Sequence, residues 1–84
     1  MEILFDEPKR LANLVKHGFD FAGLPVDFFA SATVLPGNTA GRYVAVNALE
    51  GVTVAVIFRP YGREAVSVIS MRHATKAERK VHHG

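Results

Sequence analysis

Residues 42 to 72 run RYVAVN, ALEG, VTVAVIFR, PYGR, EAVSVISMR: three segments dense in valine and isoleucine, separated by two turn-forming tetrapeptides. β-branched density with apolar/polar alternation predicts strands over about Arg42–Asn47, Val52–Arg59 and Glu64–Arg72, with turns at Glu50-Gly51 and Pro60-Tyr61-Gly62. Parallel neighbours need a crossover of a dozen or more residues, and these links are far shorter, so the three strands should form an antiparallel meander.

Upstream, Ser31–Leu35 reads as a further short strand and Pro36-Gly37-Asn38 as a turn. Between Asp20 and Phe29, Gly23 and Pro25 interrupt any long helix and leave room for a short one over Pro25–Phe29, with Phe21, Phe28 and Phe29 as core candidates. Nearer the start, Asp6 is a cap and Pro8 a first-turn proline for a helix over residues 7 to 17, which Gly18 stops. Leu11, Leu14 and Val15 fall on one side of that helix, and Lys9, Asn13 and Lys16 project together from another. At the other end, Thr75 and Glu78 have the spacing of a capping box opening a short C-terminal helix. The expected class is therefore α+β: N-terminal helices, an antiparallel three- to four-stranded meander sheet and a short C-terminal helix. With 84 residues, the whole chain 1–84 is read as a single domain.

Charge is divided unevenly. Residues 1 to 41 hold three basic and five acidic side chains, a net −2, whereas the rest hold seven basic and three acidic, a net +4. Such a half can steer polyanions toward one face, although a basic surface also simply keeps a protein in solution. An apolar fraction of 49% and a charged fraction of 21% suit a folded domain. No cysteine is present, which excludes disulfides and thiolate metal sites and agrees with the cytoplasm as the expected compartment. No run approaches the roughly 20 apolar residues that span a bilayer, so no membrane partner is expected.

Several of these residues form a pattern. Phe5-Asp6 is followed by Lys9, Asn13, Lys16-His17-Gly18 and Phe21, and later come Glu50-Gly51, Ile69-Ser70, Arg72, Ala74-Thr75 and Glu78-Arg79. In this the chain resembles, over nearly its whole length, the BrnT-like ribonuclease toxins of bacterial type II toxin-antitoxin systems. The resemblance implies a RelE-like fold, RNA cleavage without metal or other cofactor that blocks translation, and neutralisation by a cognate BrnA-like antitoxin that supplies the DNA-binding domain. A homodimer or a hetero-oligomer with the antitoxin would follow. Family members commonly carry arginine where Ser67 and His73 stand here, and alanine where Met71 stands. These departures raise an alternative, a catalytically degenerate toxin that acts only as an antitoxin- or RNA-binding module.

RNA cleavage through attack of a 2′-hydroxyl on its own phosphate needs proton removal, protonation of the leaving oxygen, and cations around the charged transition state. Arg72, at the end of the last expected strand, is the first candidate, because a planar guanidinium donates two bonds to a phosphate and stays charged. Its alternative is an edge arginine whose stem covers apolar surface or whose head pairs with Glu78. His17 is a candidate proton-transfer group and Lys16 a cation beside the phosphate, while both also suit the negative end of a helix. Arg42, Arg59, Lys76 and Arg79 are candidate RNA-backbone contacts or antitoxin contacts, each with a solvated surface charge as its alternative.

Other chemistries fit poorly. His82 and His83 are adjacent at the chain end and His73 lacks ligand-spaced partners, so no metal site is expected. The glycines do not follow the strand-loop-helix order of a phosphate loop. Lys76, Arg79 and Lys80 on one short helix give too little base-reading surface for direct double-stranded DNA binding.

Overall fold

Leu49 pairs with Val52, so Glu50 and Gly51 alone make the hairpin, and both have positive φ, 51° and 82°. That is the type I′ geometry whose twist matches the flanking strands, and a glutamate tolerates it less readily than glycine or asparagine. The computed structural model describes residues 1–84. Its strands are β1 (Glu2–Leu4), β2 (Thr33–Pro36), β3 (Tyr43–Leu49), β4 (Val52–Tyr61) and β5 (Ala65–His73). The helices are α1 (Glu7–His17), α2 (Asp27–Ala30) and α3 (Lys76–His83), with a 3₁₀ turn at Phe21–Gly23.

β2 to β5 form the expected antiparallel meander, but the sheet has five strands in the order β1-β5-β4-β3-β2 and is mixed. β1 lies parallel to β5, with Glu2 opposite Ala65 and Leu4 opposite Ser67. Three residues are too few to show a period, and their partners lie at the far end of the chain, which is why the sequence reading passed over this strand. β4 also runs on through Pro60 to Tyr61. Its last β3 pairing is Phe58 with Tyr43, so at Pro60 it has no β3 neighbour to lose a donated hydrogen bond.

One face of the sheet is covered by the 3₁₀ turn and α2. Phe21, Leu24, Phe28 and Phe29 pack there on Val54, Val56, Phe58, Val66, Val68 and Met71. Val44, Val46, Ala55 and Ala74 form a smaller cluster with partly buried Leu35 and Ile57, and α3 packs near β3. α3 opens with the expected capping box between Thr75 and Glu78, and Thr33 Oγ1 meets His82 Nδ1 at 2.8 Å to tie its end to β2. No helix is long and apolar enough to cross a membrane.

α1 matches its expected limits, with Asp6 accepting from the Lys9 amide and Gly18 at φ 78°. Its packing inverts ordinary amphipathic logic. Leu11 and Val15 are 50% and 90% exposed, and the one buried residue of the helix is Asn13. α1 lies beside β5 past the point where β1 stops pairing at Ser67, and an amide fills the open strand edge there: Met71 N–H donates to Asn13 Oδ1 (3.0 Å) and Asn13 Nδ2 donates to Met71 O (2.9 Å). Asn13 Nδ2 also donates to Phe19 O and its Oδ1 accepts from Ser70 Oγ, so the buried amide has no unmet polar group.

β5 contains the feature that orients the rest. Val68 pairs with Phe58 and Ser70 with Ile57, which leaves Ile69 without a partner as a β-bulge. Strict alternation from Val66 and Val68 would turn Ser70 and Arg72 into the aromatic core. The extra residue reverses the phase, so Met71 joins Val66 and Val68 in that core and Arg72 emerges on the opposite face.

Two stability outcomes follow. Glu50→Asn should relieve about 1 kcal/mol of left-handed strain and raise the thermal midpoint by roughly 4–8 °C, measured by calorimetry. Asn13→Ala should cost about 3 kcal/mol in denaturant unfolding, because it leaves the Met71 amide and carbonyl unpaired in a buried position.

Candidate functional site

Two hollows open on the sheet face that Arg72 reaches, and they meet at Ile69 and Ser70. The smaller, about 190 Å³, lies between α1 and β5 and is bordered by Lys9, Lys16 and His17. The larger, about 360 Å³, extends across the sheet to the loop that joins β2 to β3 and is bordered by Arg42, Arg72 and Glu78. Local folding explains each position. Lys9, Asn13 and Lys16 share one face of α1, so the Asn13 bonds that seat the helix also turn both lysines toward the bulge. His17 closes the helix beside Gly18 and is half-buried.

Arg72 is held rather than free. Its Nη1 donates to Glu78 Oε1 at 2.7 Å and its Nη2 to Glu78 Oε2 at 3.0 Å, while Nη1 also reaches the His73 carbonyl. Of the five guanidinium N–H donors, these bonds use three and leave two for a ligand. The Arg72 hydrogen bonds, with help from the Thr75 amide, hold the Glu78 carboxyl below its ordinary value of 4.5, and Glu78 in turn raises Arg72. At neutral pH the pair is an ionised fork in which Glu78 is a poor proton acceptor and Arg72 an oriented cation.

The candidate residues are thus not all together. Lys16 and His17 border the smaller hollow, and Arg72 and Arg42 the larger. Arg59 shares the Ile57 side of β4 by alternation but borders neither. Lys76 stands exposed in the first turn of α3, and Arg79 donates from Nη1 to the Ala74 carbonyl at 2.8 Å. Among residues that the sequence reading left without a site role, Asn38, Thr39 and Ser70 border the larger hollow, Lys9 the smaller, and Asn13 fixes the helix. The Ile69-Ser70 pair was legible in the sequence as part of the family pattern and as a break in the Val66–Val68 alternation, though not as the place where the hollows share a border. His82 meets Thr33, and no cluster of three His, Asp or Glu side chains is gathered to hold a metal.

A five-stranded mixed sheet with helices on its face and at its edge defines a small α+β protein, with basic side chains bordering both hollows. Residues 5–78 match the family model described as the ribonuclease toxin BrnT of type II toxin-antitoxin systems. The 1.1 Å crystal structure of the Brucella abortus ribonuclease toxin BrnT superposes with a TM-score of 0.82 at 52% identity, covering 90% of this chain and 99% of that one. The chain belongs to the BrnT ribonuclease toxin family. A search of curated proteins returns no match.

The Glu78 carboxyl and the Asp20 carboxyl, the latter lowered from 3.8 by the Ala22 amide and Arg10, set the acid response. Both are depressed on folding, so their contribution is complete above their ordinary values and is lost as pH falls through the lowered ones. Thermal midpoints should therefore drop in the strongly acidic range, and Glu78→Gln should flatten part of that decline while lowering stability at neutral pH.

Proposed function

We propose that this chain cleaves RNA without a metal ion or other cofactor, in the cytoplasm, and is silenced by a cognate antitoxin. The observation that supports this reading is that Ile69 and Ser70 border both hollows, with Lys16 and His17 lining one and Arg72 the other. A phosphate seated over Ser70 would take two N–H bonds from Arg72 and lie beside the Lys16 ammonium. An imidazole can remove the 2′-hydroxyl proton or protonate the leaving 5′-oxygen, and His17 is the histidine on this furrow. The products are a 2′,3′-cyclic phosphate and a free 5′-hydroxyl, so atoms balance without water or metal in this step.

In this reading residues 1–84 are a single RelE-like catalytic domain. Arg42 contacts the backbone next to the cut, and Arg59, Lys76 and Arg79 lie farther out, where they meet RNA or acidic antitoxin side chains. A protein antitoxin accounts for family membership, and the lack of a long basic reading helix in this chain leaves operator DNA to that partner.

Two observations favour a binding-only alternative: Glu78 takes two of the five Arg72 N–H donors, and Ser67 and His73 stand where the family commonly has further arginines. Purified protein with RNA in excess chelator separates the two readings. Expected outcomes are cleavage to 2′,3′-cyclic phosphate ends, a loss of about 10²–10³ in kcat/KM for Arg72→Ala, and growth arrest when the chain is expressed alone. Intact RNA together with harmless expression would establish the binding-only protein instead.

A further inference from the structure

The larger hollow has a constitution that a phosphate does not require. Its floor is one aliphatic side chain from each of four neighbouring strands: Leu35 of β2, Val44 of β3, Ile57 of β4 and Ile69 of β5. A hydrated anion gains nothing from such a floor, whereas the flat face of a planar ring does. Over one rim stands the loop from Pro36 to Arg42, tightly closed by Gly37 N–H on the Arg42 carbonyl (2.8 Å) and Arg42 N–H on the Thr39 carbonyl (3.0 Å). A Cβ at Gly37 would sit 2.8 Å from the Arg42 oxygen, so this loop conformation needs glycine there. With its backbone closed on itself, the loop borders the hollow at Asn38 and Thr39.

We propose that this hollow is a base-selecting subsite for one unpaired ribonucleotide, resting on the ribonuclease reading of the adjoining furrow. The volume of about 360 Å³ lies at the lower end of small-ligand pockets, about 300–1,000 Å³, which suits a nucleotide and not a paired duplex. Sequence-selective RNA recognition uses splayed single-stranded bases, because the A-form major groove is too narrow for side chains. The base lies on the aliphatic floor. The Asn38 amide, which has both donors and an acceptor, and the Thr39 hydroxyl bond its edge. The nucleotide's phosphate then extends to Ser70, the residue shared with the smaller hollow, between Arg72 and Lys16. No aromatic ring borders the hollow, so edge hydrogen bonds and fit select the base, not ring stacking.

Two measurements test this. Cleavage of a randomised single-stranded RNA, with ends mapped by sequencing, should show a base preference at one position beside the cut. Asn38→Ala and Thr39→Ala, both in an exposed loop, should reduce that preference about tenfold. A wild-type profile without preference, or a preference untouched in the double variant, would overturn the proposal. Independently of turnover, titration of the ¹⁵N-labelled full chain with each of the four nucleoside 3′-monophosphates should shift amides at 36–42 and 69–72, unequally among bases. Equal shifts from all four, or the same shifts from inorganic phosphate, would also overturn it. Base-dependent shifts without any RNA cleavage would leave the subsite standing and remove the catalytic reading instead.

Discussion

The arrangement of α1 against the sheet depends on one side-chain amide making the bonds of a missing strand. β1 covers the edge of β5 only as far as Ser67, and beyond it the edge would expose backbone groups that attract other chains. Asn13 exchanges two hydrogen bonds with Met71 and takes a third from Ser70, and so finishes the sheet with a helix. An amide is suited to this place because it has a donor and an acceptor side by side, as a peptide group does. Aspartate would lose the donors, and leucine would lose both and leave β5 with unpaired polar atoms. Because the bond is made at the bulged part of β5, the rotation of α1 and the exit direction of Arg72 are fixed relative to each other. The furrow is a consequence of that joint.

This arrangement explains why a helix can bury its polar face and expose its leucines. An apolar face contributes roughly in proportion to area removed from water, and the main partner of α1 is a single strand, β5. A fully satisfied buried amide network is the better use of a narrow contact, since it is directional and fixes one register. Arg10 Nη1, which donates to both Asp20 carboxylate oxygens at 3.1 and 2.9 Å, ties the same helix to the 3₁₀ turn. Leu11, Leu14 and Val15 are left facing solvent.

Much of the fold was legible because its determinants are local. Asp6, Pro8 and Gly18 delimit α1, Thr75 and Glu78 open α3, and the valine runs with their short links define the meander. The features that failed to show are those set by distant partners. Glu2–Leu4 becomes a strand only because Ala65–Ser67 offers it an edge. Asn13 is buried by Met71, 58 residues away, and on a helical projection it is indistinguishable from a solvent-facing polar residue. The bulge did leave a trace, in that Met71 breaks the phase set by Val66 and Val68, but a phase break alone does not say which residue is extra. The candidate site was legible as residue types and not as a place: Arg72, Lys16 and His17 have suitable chemistry, and only the fold sets them along two hollows that share Ile69 and Ser70, leaving Arg59, Lys76 and Arg79 outside both.

The pairing of Arg72 with Glu78 unites two readings that the sequence sets against each other. An arginine on a strand end loses side-chain entropy when it clamps a phosphate, and an unpaired one must be ordered by the substrate at the moment of reaction. Glu78 is itself immobilised by its capping-box bonds to Thr75, so it forms a fixed post against which the guanidinium is already aligned. The carboxylate subtracts from the positive potential at the furrow, and that loss must be weighed against the gain in order. Two N–H groups remain unspent, which is the number a bidentate phosphate contact uses. A lysine at position 72 would lack the second fork edge and could not serve the carboxylate and a phosphate together. Pairing with Glu78 therefore orders the guanidinium without using all of its donors, and the same α3 that packs near β3 supplies the post.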